Sequence, residues 1–211
     1  MSRHPELYRW SQQVGSRFPG LPPVFVALLA LWSLGMILAR RCGLDSVAGH
    51  LAALLDQKDN TVRQRLREFY QEKAAKAGAK RGEPRRDFDV TACFAPLLAW
   101  VLSFWPGSRL ALALDVTNLG DRFHVLCVCV LYGGIGIPVA WKVLPANQKE
   151  AWHPHWCALL GLLRPAVPAG WAVVVLSDRG LESPRLFQEV VAVGWHPLMR
   201  VKAGGKFRPA G

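Results

Sequence analysis

At 211 residues, 51% of them hydrophobic, the chain is long enough to bury a core and is excluded from the class of disordered tails. A formal net charge of +11 and a pI near 10.0 call for a polyanionic partner, nucleic acid or an acidic membrane surface. The five cysteines, at 42, 93, 127, 129 and 157, form no CxxC pair and no even framework, which fits a reducing cytoplasm better than secretion.

In chain order, residues 1–23 are mostly polar and read as a loosely ordered N-terminus. "VFVALLALWSLGMILARR" (24–41) opens after Pro22 and Pro23 and reads as a buried apolar helix ending near Arg40–Gly43. Its apolar stretch stops at Ala39 and is interrupted by Ser33 and Gly35, short of the ~20 residues that cross a bilayer. The polar residues before it are the wrong layout for a signal peptide, so no membrane partner is expected. "DSVAGHLAALLDQKDNTVRQRLREFY" (45–70) then places Val47, Leu51, Leu54 and Leu55 on one helical face. After the polar "DQKDN", Val62, Leu66, Phe69 and Tyr70 form a second face, the outline of a helix-turn-helix.

Residues 24–75 therefore form a helical DNA-binding module, with Arg63, Arg65 and Arg67 expected on the outer face of its last helix. The cations continue through Lys73, Lys76, Lys80, Arg81, Arg85 and Arg86, so residues 76–89 read as a basic linker. Such a run is either a solvated surface or a phosphate-contacting one. Its concentration of the excess charge favours double-stranded DNA.

From about 90 the pattern changes. A helix at 90–104 precedes strands at 109–117, 122–134 and 136–145, with the glycines at 133–136 turning the chain. A helix at 151–163, a strand at 171–177, a helix at 183–194 and a strand at 195–202 follow. The order β-β-β-α-β-α-β predicts an α/β (α+β) mixed sheet flanked by helices.

Two of these strands end on carboxylates. "LALALDVTNL" brings Asp115 against an apolar run, and "VVVLSDRGL" does the same with Asp178. If strands one and four are neighbours, the two converge at one edge, where a hard divalent cation such as Mg²⁺ would relieve their repulsion. Two such ions can activate a nucleophile and stabilise a leaving oxygen in phosphodiester chemistry. The competing reading makes each Asp a separate turn residue. "HPHWC" offers His153, His155 and Cys157 to zinc, but no fourth ligand is evident, and a helix-start loop accounts for it. Cys127 and Cys129 read as core thiols and Asp121 as a turn former. "GGIG" (133–136) is followed by a strand, which excludes a dinucleotide loop.

The blocks "LALDVTNLGDRFHVLCVCVLYGGIGIPVAWKVLPANQKEAW" and "VVVLSDRGLESPRLFQEVVAVGWHPLMRVK" resemble the catalytic core of DDE-type insertion-sequence transposases, and "LALWSLGMILARRCGLDSVAGHLA…RQRLREFY" resembles the helical module before it. The likeness spans roughly residues 24–205 and is most specific at Asp178-Arg179-Gly180. It implies an RNase H-like domain over 90–211, with Asp115 and Asp178 as the first two catalytic acids and as ligands of Mg²⁺, with Mn²⁺ a substitute. It also implies DNA strand cleavage and transfer, with a homodimer on DNA as a possible assembly. The family's third acid, a Glu within a Tyr-Arg-Glu-Lys type signature, has no counterpart here. Glu182 and Glu189 lie too close to Asp178 to replace it. The expectation is a front part of such an enzyme, truncated before its third acid. The alternative is a catalytically inactive DNA-binding fragment.

Overall fold

The structure is a computed structural model that describes residues 4–71, 87–148, 150–181 and 183–201. Its chain divides into two compact units between Cys93 and Phe94.

The first unit is helical: α1 Pro5–Arg17, α2 Pro23–Ala39, α3 Leu44–Leu55 and α4 Asp59–Tyr70. The expectation of a loosely ordered N-terminus is corrected by α1. Leu7, Trp10, Val14 and Phe18 recur at helical spacing; Val14 and Phe18 are buried, and the Trp10 indole donates to Ser33 Oγ of α2 at 2.8 Å. A polar composition concealed an amphipathic stripe.

The core of this unit joins Leu31, Val47, Ala48, Leu51, Ala52, Val62 and Leu66. Helices α2 and α3 approach closely at Gly35, where an added Cβ would lie 2.7 Å from Val47 and 2.8 Å from Leu51. The glycine that interrupts the apolar run is thus a contact point for a neighbouring helix. No single helix among the described residues is long and apolar enough to cross a membrane; α2 and α3 reach that length only as a pair bent by 97°. A three-residue turn with Asp56 at φ 53° joins α3 to α4. After the basic segment the chain returns to this unit, with the Phe88 ring 4.7 Å from Phe69 and 5.4 Å from Phe25.

The second unit is of the expected α+β class, a five-stranded mixed sheet with helices. After a 3₁₀ turn at Thr91–Cys93 come α5 Phe94–Leu102, β1 Arg109–Leu119, β2 Phe123–Tyr132, β3 Ile135–Pro145, α6 His153–Leu163, β4 Ala172–Ser177, α7 Pro184–Ala192 and β5 His196–Met199. The sheet order is β3-β2-β1-β4-β5; β1, β2 and β3 pair antiparallel, while β4 runs parallel to both β1 and β5. Gly133 (φ 57°) and Gly134 (φ 81°) make the two-residue turn between β2 and β3, where both central residues need the left-handed region. Pro138 lies on the edge strand β3 beside a register shift at Val128/Cys129, where a missing N–H is tolerated; the shift turns both Val139 and Ala140 inward.

Strand side chains alternate between faces. Leu110, Leu112 and Leu114 of β1, Leu126, Val128 and Val130 of β2, and Val173 and Val175 of β4 are buried on one face. Ala111, Ala113, Cys127, Cys129, Val174 and Leu176 are half-buried on the other. Helices α5, α6 and α7 contact one another in sequence and supply buried Phe94, Leu98, Trp156, Leu159, Leu160, Leu186 and Val190. Ser183 caps α7 by accepting the Leu186 N–H at 3.3 Å, and Pro184 occupies the first turn, where its missing donor costs nothing.

Candidate functional site

Strands β1 and β4 run parallel in a register that sets Leu112 beside Val175 and ends with Leu114 beside Ser177. The next residue on each chain is the aspartate. Asp115 and Asp178 therefore each follow the last β1–β4 pair, Asp115 within β1 and Asp178 just past the end of β4. Both are exposed.

Asp115, expected near the end of a strand over 109–117, lies four residues before the end of β1. It sits where β4 leaves β1, while β1 continues to Leu119 against β2. The apolar run marked the stretch that β4 covers, and the hairpin partner carries the strand further. Asp178 begins the 3₁₀ turn Arg179–Leu181, and its Oδ1 accepts the Gly180 N–H at 2.9 Å. This short-range bond fixes the carboxylate against its own turn and leaves the second oxygen for other work. The β1–β4 ladder thus ends one residue before each of the two aspartates that the sequence singled out.

Across the hairpin Asp115 pairs in register with Cys127. Burial pushes the Cys127 thiol up to about 12, aided by the hydrogen bond to Cys129 and by the charges of Cys129 and Asp115. The two sulfurs are 3.5 Å apart, and both thiols are half-buried. Cys93 is likewise raised, to about 11, by burial first and then by the charge of Asp89. Asp89 is lowered, chiefly because the Thr91 hydroxyl donates to it at 2.7 Å.

Between α6 and the turn after β4 a cavity of about 430 Å³ opens, lined in part by Gly180, Leu181, Trp152, His153 and Trp156. Among the described residues the buried indole N–H of Trp156 and the Ser177 hydroxyl have no hydrogen-bond partner. No motif or spacing announces this hollow, which depends on how α6 and the turn after β4 meet.

The basic residues separate into distinct situations. Arg63 Nε donates to Asp45 Oδ1 at 2.8 Å, an ion pair between exposed side chains. Arg65 and Arg67 are exposed. The three do not share one outer face, contrary to expectation. Arg63 and Arg67 lie one turn apart on one flank, while Arg65, two residues from each, projects from the other flank of the buried Val62–Leu66 stripe. Lys73, Lys76, Lys80, Arg81, Arg85 and Arg86 lie outside the described residues, as does Glu182.

The "HPHWC" reading is also revised. His155 turns to Gln148, whose amide nitrogen lies 3.1 Å from its Nε2. His153 and Cys157 instead meet Glu189 of α7, with ligand atoms all within 4.8 Å of one another. Burial raises the Cys157 thiol, the Glu189 charge adds to this, and a backbone hydrogen bond opposes it. Among the described residues no third His, Cys, Asp or Glu makes a comparable cluster with Asp115 and Asp178.

No protein-family profile and no curated protein matches this chain. Among solved structures, the crystal structure of the Mos1 Strand Transfer Complex aligns at 12% identity and a TM-score of 0.29. The alignment covers 81% of this chain and 57% of that one, so the chain spans little more than half of the structure it matches.

Proposed function

We propose that this chain is a DDE-type DNA transposase in which Asp115 and Asp178 form the acidic pair that holds Mg²⁺, or Mn²⁺ in its place. The parallel pairing of β1 with β4, whose last pair immediately precedes these two residues, carries this reading. The donor set fits: two exposed carboxylates offer only hard oxygen ligands, and Mg²⁺ is commonly held by one or two carboxylates with water and phosphate oxygens completing the shell. Bound there, the ion supplies charge neutralisation for phosphodiester hydrolysis and for attack of the freed 3′-hydroxyl on target DNA.

The chain's own residues orient that chemistry. The Gly180 N–H holds one oxygen of Asp178, limiting rotation of the carboxylate. Arg65 and Arg67, with the cations at 73–86, bind the phosphate backbone of double-stranded DNA. Five unpaired thiols suit a reducing cytoplasm, where two copies would assemble on the transposon ends.

A second reading, a DNA-binding fragment without catalysis, is favoured by the lack of a third acid near the pair among the described residues. A nicking assay on supercoiled DNA separates the two. The enzyme reading expects nicking in Mg²⁺ or Mn²⁺ that disappears in Asp115→Ala while DNA binding persists. DNA binding without nicking by the unaltered chain favours the fragment; nicking that survives in Asp115→Ala removes the acidic pair from the chemistry. Strand transfer by the purified chain is not expected in either case.

A further inference from the structure

We infer that His153, Cys157 and Glu189 form a second metal site, one for zinc, that fastens α6 to α7 and is independent of the acidic pair. His153 and Cys157 are four residues apart on α6 and so project from one face of it. Glu189 comes from α7, which packs on that helix. The three ligand atoms lie within 4.8 Å of one another. In a tetrahedral zinc shell with the usual bond lengths, ligand atoms are ~3.6 Å apart, so rotamer adjustments of about an ångström bring them to bonding distance.

The donor set selects the metal. One imidazole nitrogen, one sulfur and one carboxylate oxygen suit zinc, whereas Mg²⁺ prefers oxygen alone. On binding, the Cys157 thiol loses its proton to solvent and coordinates as thiolate, and water completes the fourth position. The three side chains are half-buried, half-buried and exposed in turn, so an ion can enter from solvent without unfolding the unit. His153 also borders the cavity beside the turn after β4, and zinc would fix the α6 wall of that cavity relative to α7.

Cobalt substitution tests the site on the full chain. The metal-stripped protein, titrated with Co²⁺, should develop a thiolate-to-cobalt charge-transfer band at one equivalent, together with the intense visible bands of tetrahedral cobalt. Added Zn²⁺ should remove both. Cys157→Ser should abolish the charge-transfer band. Exposed Glu189→Gln, which leaves the fold alone, should weaken binding at least ~10-fold, the low end of what even outer partners of a metal contribute. Cys127→Ser and the Asp115→Asn/Asp178→Asn double variant should leave the band unchanged. No band in the unaltered chain, a band that persists in Cys157→Ser, or one that vanishes in Cys127→Ser overturns the assignment. This inference does not depend on the acidic-pair reading, whose failure would appear separately, as no nicking by the unaltered chain or nicking that survives in Asp115→Ala, with the cobalt spectrum intact.

Discussion

Asp115 has a built-in reporter in Cys127, its partner across the β1–β2 hairpin. The folded chain holds the Cys127 proton up to about 12, so the thiol should resist alkylation at pH 8, while exposed Cys42 should label first. Replacing the carboxylate in Asp115→Asn removes one of the charges that raise this thiol. Cys127 alkylation, read by peptide mass, should then speed up roughly threefold, the effect of a partly screened neighbouring charge. An unchanged rate would mean that the carboxylate does not point toward Cys127. The raised thiols also set an alkaline limit. Their contribution to stability is fully present below the ordinary thiol value of 9.0 and is lost as pH rises toward about 11 for Cys93 and about 12 for Cys127. Melting temperature should therefore fall above pH 9, and less so in Cys93→Ala/Cys127→Ala if that variant folds. Gly35 offers an independent test of packing. A Cβ there would fall under 3 Å from Val47 and Leu51, so Gly35→Ala should destabilise the helical unit by ~1–3 kcal/mol in denaturant unfolding, despite the better helix propensity of alanine.

At the scale of elements, the strands were legible because β1 and β2 are long apolar runs and two glycines mark their hairpin with β3. Each strand between Arg109 and Ser177 lies within about three residues of its expected bounds, and the last is shortened to His196–Met199. Helix α1 escapes a reading by composition because its stripe of Leu7, Trp10, Val14 and Phe18 is diluted by polar neighbours. The adjacency of β1 and β4, on which the pairing of Asp115 with Asp178 depends, follows from sequence only conditionally, since sequence does not state which strands become neighbours. Glu189 could not be matched to His153 and Cys157 from spacing, because their meeting depends on packing between α6 and α7. Helix α4 gives the prediction at this scale. Arg63 is paired with Asp45, while Arg65 and Arg67 are exposed without such a pair among the described residues. Each phosphate that a cation ceases to neutralise should reduce the slope of log K against log salt by about 0.9. Arg65→Ala or Arg67→Ala should lower the slope by that amount; Arg63→Ala should lower it less, because its ion pair already competes with phosphate. Equal slopes for all variants and the unaltered chain would make this helix a solvated surface.

At the scale of the whole molecule, the chain runs from a basic helical unit into a mixed sheet whose β1–β4 ladder ends one residue before each of two acids. Their proposed common ion is the claim on which the rest depends. Two carboxylates that share an ion are strongly coupled, whereas two that act separately contribute additively. The most direct test is Mn²⁺ affinity, measured for the unaltered chain, Asp115→Asn, Asp178→Asn and the double variant, with Cys157→Ser as the common background to silence the zinc site. A shared ion predicts that either single substitution removes nearly all of the binding that the double one removes. Additive losses, or affinity that neither substitution changes, would contradict it.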